Sequence, residues 1–213
     1  MIEKHTTGGS NRNFQKEMEM TIRQNEEKGN VPSLFLHSCC APCSSYVLEY
    51  LSSFFNITVF YYNPNIFPAE EYKERAGEVE RLIKELSTVR PIRFICGEYG
   101  PETFFNAVKG HEMDEEGGAR CEICFRLRLK EAARLAAEGG YDYFTTTLSI
   151  SPLKNAVLLN EIGEEMGRGF GVRYLNSDFK KKNGYKRSTE LSAEHHLYRQ
   201  NYCGCVFSKR EFL

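Results

Sequence analysis

Seven of the eight cysteines in this chain fall into three tight groups: Cys39, Cys40 and Cys43; Cys121 and Cys124; Cys203 and Cys205. Only Cys96 stands alone. In a reducing compartment, where disulfides do not persist, grouped thiols are metal ligands or redox groups. Cys121-Glu-Ile-Cys124 is predicted to open a helix, where residues three apart share a face and the free amides and dipole favour thiolates. Cys39 and Cys40 leave a strand end, and adjacent residues in an irregular turn can aim both sulfurs at one centre. The two pairs supply four thiolates, the number that closes a 4Fe-4S cluster or an all-cysteine zinc site. Ligand count does not separate the two, although structural zinc usually takes CxxC-type pairs on both sides. A radical S-adenosylmethionine motif, CxxxCxxC, does not fit, because Tyr46 stands where its third cysteine belongs. Cys203-Gly-Cys205 closes almost no loop and would stabilise little as a staple, so redox or metal work is expected of it. Cys43 is expected to be a supporting or packed thiol, and Cys96 a buried strand-end residue.

The elements that must position these groups read as alternating helices and strands. Apolar and β-branched runs predict strands over 33–37, 57–62, 92–96, 143–147 and 172–175. Amphipathic or helix-forming stretches predict helices over 11–29, 44–53, 69–86, 121–138 and 154–166, with a helical tail from 187 that breaks before Cys203. Alternation of this kind implies an α/β fold: a mostly parallel sheet with helices on both faces. Such sheets bind ligands beyond the carboxyl ends of their strands, which here carry Cys39 and Cys40, Asn63-Pro64-Asn65, Cys96, and Thr147 with Ser149. The expected organisation is an N-terminal helical extension over 1–30 and a single α/β catalytic domain over 31–213.

Composition narrows the function classes. A chain of 213 residues suits one sizeable domain at the usual ~100–200 residues each. The formal net charge is −1, so nucleic-acid binding would need a local basic patch. No apolar run approaches the ~20 residues of a membrane span, and the polar N-terminus is unlike a secretory signal. A cytoplasmic location without a membrane partner is expected.

Several longer motifs carry a resemblance. His37-Ser-Cys-Cys-Ala-Pro-Cys43, Asn63-Pro-Asn-Ile66, Glu71-Tyr72, Arg120-Cys-Glu-Ile-Cys-Phe-Arg126, Thr145-Thr-Thr-Leu-Ser-Ile-Ser-Pro152 and Tyr198-Arg-Gln-Asn-Tyr-Cys-Gly-Cys-Val-Phe-Ser208 resemble the epoxyqueuosine reductase QueH family. The similarity runs from about Leu34 to Ser208. It implies a fold similar to the adenine-nucleotide hydrolase (HUP-like) superfamily and the last step of queuosine biosynthesis. In that step the epoxide of epoxyqueuosine, at the wobble position of tRNA with a GUN anticodon, becomes an alkene without cobalamin. The resemblance further implies that Cys39, Cys40, Cys121 and Cys124 hold a 4Fe-4S cluster. Cys203 and Cys205 would form a redox-active pair or help bind an additional mononuclear iron.

Removing an epoxide oxygen takes two electrons and two protons, whereas a cluster normally passes one electron at a time, so a second redox centre is needed. An iron could instead act as a Lewis acid on the epoxide oxygen. Asp178 or His37 would complete such an iron's ligands or deliver a proton. The electron donor is not identified. For tRNA, the basic run of Lys180, Lys181, Lys182, Lys186 and Arg187 is expected to neutralise phosphates, with Tyr185 stacking on an extruded base. Arg120, Arg126 and Arg199 flank the cysteines and would hold phosphates or tune the cluster. An ATP-dependent enzyme would want a loop like SGGxDS after the first strand, where this chain has thiols and a proline, so no ATP is expected. The competing reading is a zinc-stabilised RNA-binding module with four cysteine ligands and no redox activity.

Overall fold

A computed structural model of the chain describes residues 12–208. Strands β1 (Ser33–Ser38), β2 (Asn56–Tyr61), β3 (Arg93–Cys96), β4 (Tyr143–Thr146) and β5 (Arg173–Tyr174) form one sheet in the order β3-β2-β1-β4-β5, with every pairing parallel. The helices are α1 (Phe14–Glu27), α2 (Ala41–Leu51), α3 (Ala69–Glu85), α4 (Pro101–Ala107), α5 (Ala119–Glu138), α6 (Ala156–Phe170) and α7 (Gly184–Glu194). The α/β architecture read from the sequence is the one found. Among the described residues, no helix is long and apolar enough to cross a membrane.

Strand side chains alternate between two apolar layers, because successive residues of a strand face opposite ways. Leu34, Leu36, Ile57, Val59, Tyr61 and Tyr143 face one layer, built with Met18 and Ile22 of α1, Val47 and Leu48 of α2, Val79 and Leu82 of α3, and Leu191 of α7. Phe35, Phe60 and Phe144 face the other, against Ala132, Ala133 and Ala136 of α5. The small alanine face lets α5 lie close on the aromatic surface, where Phe35 stacks on Phe60 at 5.1 Å. The strand order reverses between β1 and β4, so the crevice opens beyond their carboxyl ends. Cys39 and Cys40 follow β1 there, and a short 3₁₀ turn, Thr147–Ile150, follows β4.

Three features differ from the sequence reading. Cys96 is exposed rather than buried, because β3 is an edge strand with little packed on its end. The seven-residue α4, begun by Pro101 and burying Phe104, was not expected; it is too short to show a helical period. The C-terminal helix occupies Gly184–Glu194, earlier than expected, and the chain from His195 to Cys205 is irregular.

Leu36 is fully buried at the centre of the sheet. Leu36→Ala should lower stability by about 2–5 kcal/mol, the usual cost of an emptied core site. Urea unfolding checks this, and a midpoint equal to wild type would contradict the central placement of β1.

Candidate thiol-lined active site

All three cysteine groups line one cavity of about 370 Å³ at the carboxyl end of the sheet. Cys39, Cys40 and Cys43 come from the β1–α2 junction, Cys121 and Cys124 from the first turns of α5, and Cys203 and Cys205 from the C-terminal segment. Apolar packing brings them together. Cys39 packs against the cluster of Cys121, Phe125 and Leu148. Cys124 and Cys205 share another with Phe104 and Val108 of the α4 region.

The first group is the tightest. Cys39 Sγ lies 3.7 Å from Cys40 Sγ. The sulfurs of Cys39, Cys40 and Cys43 all lie within 4.8 Å of one another, the one such group of potential metal ligands among the described residues. Two sulfurs about 2.3 Å from one tetrahedral ion sit about 3.8 Å apart, so these three thiols could hold a metal. The sequence reading gave Cys43 as a supporting or packed thiol. Its place one turn into α2 folds it back onto the pair that precedes the helix.

These thiols share their protons unequally. Hydrogen bonds from Cys40 and then Cys43, aided by Arg128 and the Thr147 hydroxyl, hold Cys39 well below the usual thiol range. Its hydrogen bond to Cys39 pushes Cys40 up to about 12, and Cys43 is likewise pushed up. Thr147 Oγ1 lies 3.4 Å from Cys39 Sγ and accepts from the Cys39 amide at 3.3 Å. On α5, burial raises Cys124, while Cys121 Sγ accepts the Gly117 amide at 3.2 Å.

In the C-terminal pair, a hydrogen bond from Cys205 and, after the opposing effect of burial, the nearby Lys154 ammonium pull Cys203 down to about 5. The same hydrogen bond raises Cys205. One thiolate beside one thiol is the form in which a dithiol attacks or is oxidised. Lys154 is itself pulled down by burial, but Cys203 and its ion pair with Glu116 (2.7 Å) outweigh that and raise it.

The β2–α3 loop holds this segment in place. Asn65 Nδ2 donates to Cys203 O (3.4 Å), Phe67 N to Gly204 O (3.1 Å), and Arg75 to Tyr202 O (3.5 Å). Arg75, buried and paired with Glu71 at 2.6 Å, also lies over the Tyr202 ring. Gly204 sits at φ +93°, and a Cβ there would come within 2.6 Å of Ile66 Cγ1. Asn65, Ile66 and Glu71 of these motifs thus help to seat the C-terminal cysteines.

Other candidates are placed differently. His37 is wholly buried behind the cavity wall, its ring nitrogens taken up by Thr146 Oγ1 (2.8 Å) on one side and by Tyr62 O (3.0 Å) and Arg128 Nε (3.3 Å) on the other. Burial, then Arg128, push it down to about 3, so it is neutral at pH 7. Asp178 is also absent from the cavity lining and pairs with Lys180 at 2.6 Å. Much of the basic run is occupied by the chain's own carboxylates: Lys182 with Glu19 (2.6 Å), Arg187 with Glu49 (2.7 Å) and Lys186 with Glu190 (4.0 Å). Lys181 is exposed with no ion pair among the described residues, and Tyr185 lines the cavity while remaining 42% exposed. Arg199 is exposed at the cavity. Arg120 instead binds carbonyls of the 111–114 loop, and Arg126 pairs with Glu122 and Glu165.

Arg128, Lys154 and Arg75 line the cavity and were not singled out from sequence. Arg128 had a legible signal, lying four residues beyond Cys124 and seven beyond Cys121 on one helix face. Lys154 had none, since it reaches Cys203 only through tertiary structure.

Fold and site together define a doubly wound α/β protein whose switch-point crevice is a thiol-lined, cation-rich chamber suited to metal or redox chemistry. Residues 34–211 match the family described as Epoxyqueuosine reductase QueH, and the chain belongs to it. It is 42% identical over 200 residues to the epoxyqueuosine reductase QueH of Streptococcus pyogenes, covering 93% of this chain and 78% of the relative. The Staphylococcus epidermidis QueH is 43% identical (92% and 84% covered), and the Thermotoga maritima QueH 36% identical (84% and 91%).

Two outcomes test the C-terminal pair. In the metal-free chain, iodoacetamide should label Cys203 at rates that fall only as pH drops through about 5, since a depressed group keeps its charge above its own pKa. Lys154→Met should move that profile to higher pH, as read by mass spectrometry of the alkylated peptide; an unmoved profile would remove Lys154 from the pair. Gly204→Ala should displace the cysteines and abolish reductase turnover while leaving the thermal midpoint within a few degrees of wild type.

Proposed function

We propose that this chain is an oxidoreductase that converts the epoxide of epoxyqueuosine in tRNA to the alkene of queuosine, without cobalamin. The observation that carries the reading is the convergence of seven cysteines from three distant segments on one cavity, in a chain of the QueH family. Cys39, Cys40, Cys121 and Cys124 would hold a 4Fe-4S cluster, with Cys43 beside them. The donor set fits such a group: soft thiols, one poised as a thiolate, with five cationic side chains (Arg75, Arg120, Arg128, Lys154, Arg199) and one carboxylate (Glu116) among the lining residues. When bound, the cluster supplies electrons singly.

The chain's own residues do the rest. Reduction of the epoxide consumes two electrons and two protons and releases water. Oxidation of the Cys203/Cys205 dithiol to a disulfide supplies both, and an external donor then restores the dithiol. Binding of an additional iron by the same pair is the other form of this proposal. Lys154, protonated and steadied by Glu116, faces the negative charge that develops on the epoxide oxygen. His37 takes a positioning role, since its neutral ring is already bonded within the wall.

The wobble base would enter from the anticodon loop, where it can leave its stack without breaking a duplex. Tyr185 at the cavity edge offers the stacking surface, and Lys181 and Arg199 the phosphate contacts. Lys180, Lys182, Lys186 and Arg187 would first have to exchange their carboxylate partners for phosphates.

The spacing of Cys39, Cys40 and Cys43 also suits a single zinc ion in a non-redox RNA-binding module. Anaerobic purification separates the readings. Brown protein containing iron and acid-labile sulfide, active on tRNA bearing the epoxide, is the expected result; colourless protein containing only zinc and inert on that tRNA would end the proposal. For docking, Lys181→Glu should weaken tRNA binding and flatten its salt dependence by about one phosphate contact. Tyr185→Ala should cost about 1–3 kcal/mol of binding, the usual worth of a stacked base. Fluorescence anisotropy across a salt series reads both, and unchanged affinity in the two variants would move the RNA surface elsewhere.

A further inference from the structure

Arg128 is buried to 4% exposure, yet it forms no ion pair with a carboxylate among the described residues. Its nitrogens meet the His37 ring (3.3 Å), the Asn63 side-chain oxygen and Cys124 Sγ (3.9 Å), none of which is a carboxylate. Two further buried arginines line this cavity: Arg75 is paired with Glu71 at 2.6 Å, and Arg120 turns its guanidinium onto the carbonyls of His111, Glu112 and Asp114. A buried charge without a counter-ion costs several kcal/mol, so a chain that keeps one has an anion to set against it. Arg128 lines the cavity, one helical turn beyond Cys124 and two beyond Cys121, and its outward nitrogen faces the sulfurs. The rest of the guanidinium is pinned: Asn63 accepts from it while donating to Ser38 O at 2.9 Å, so the fork cannot swing to solvent.

Resting on the reading that these cysteines hold a metal cluster, we propose that Arg128 is the fixed counter-charge of that centre and sets its reduction potential upward. A centre ligated by thiolates is anionic and becomes more so on reduction, so a rigid cation beside it favours the reduced state. Arg128 is therefore a positioning and tuning residue, not one that touches the substrate.

The test is a spectroelectrochemical titration of the anaerobically purified holoprotein, with iron and sulfide measured on each sample. Arg128→Met removes the charge. Asn63→Asp keeps the oxygen that accepts from Arg128 and sets a carboxylate against the guanidinium, while giving up the hydrogen bond to Ser38 O. Both should lower the midpoint potential by a tenfold or greater change in the one-electron equilibrium, about 59 mV. Arg128→Lys, which keeps charge but loses the fork, should stay closer to wild type than Arg128→Met does. If Arg128→Met does not fold, Asn63→Asp carries the measurement. Wild-type protein with iron and sulfide whose variants keep the wild-type potential would overturn this inference alone. Wild-type protein without iron or sulfide would overturn the functional reading and this inference with it.

Discussion

A small buried polar network behind the cavity sets the geometry of everything in front of it. Asn63 donates to Ser38 O and accepts from Arg128, and His37 bridges Tyr62 O and Thr146. These contacts tie the carboxyl ends of β1, β2 and β4 to α5 at the point where strand order reverses. Each buried polar group left without its partner would cost about 1–3 kcal/mol, so few alternative arrangements compete. Cys39 and Cys40 follow directly from the strand end this network holds, and Cys121 and Cys124 stand on the helix it fastens. The thiols converge because the polar wall behind them is fixed.

The cavity is electrostatically one-sided. Cations from α3, α5, the 151–154 loop and the C-terminal segment surround a set of thiols, with Glu116 as the carboxylate of the lining. In such a chamber one sulfur of the first and of the last group ionises readily while its neighbours keep their protons, as Cys39 and Cys203 show against Cys40 and Cys205. A thiolate beside its thiol is what metal capture or thiol redox chemistry requires at neutral pH. The loop 63–68 then has a clear purpose: through Asn65, Phe67 and the space left by Gly204 it docks the C-terminal pair beside the others.

The outer surface tells a different story from its charges. The basic run on and before α7 is laced to Glu19, Glu49 and Glu190. Pairs of that kind on a solvated surface contribute little to stability, roughly 0–1 kcal/mol, and exchange easily for a phosphate. A nearly neutral chain can therefore meet RNA through a few sites near the cavity mouth without a general basic field.

The order of helices and strands, the parallel sheet and the grouping of cysteines at strand and helix ends were legible in the sequence, because they follow from local periodicity and from spacing along the chain. The Cys121/Cys124 pair could even have led to Arg128, which shares its helix face. Tertiary structure alone decided the rest. Cys96 is exposed because β3 is the sheet's edge, and strand order is not written in any one strand. Cys43 joins Cys39 and Cys40 because α2 turns back at Cys40. Lys154 reaches Cys203 across about fifty residues of chain, and Lys182 and Arg187 meet Glu19 of α1 and Glu49 of α2. Contacts between distant segments depend on how whole elements pack, and no local pattern encodes that.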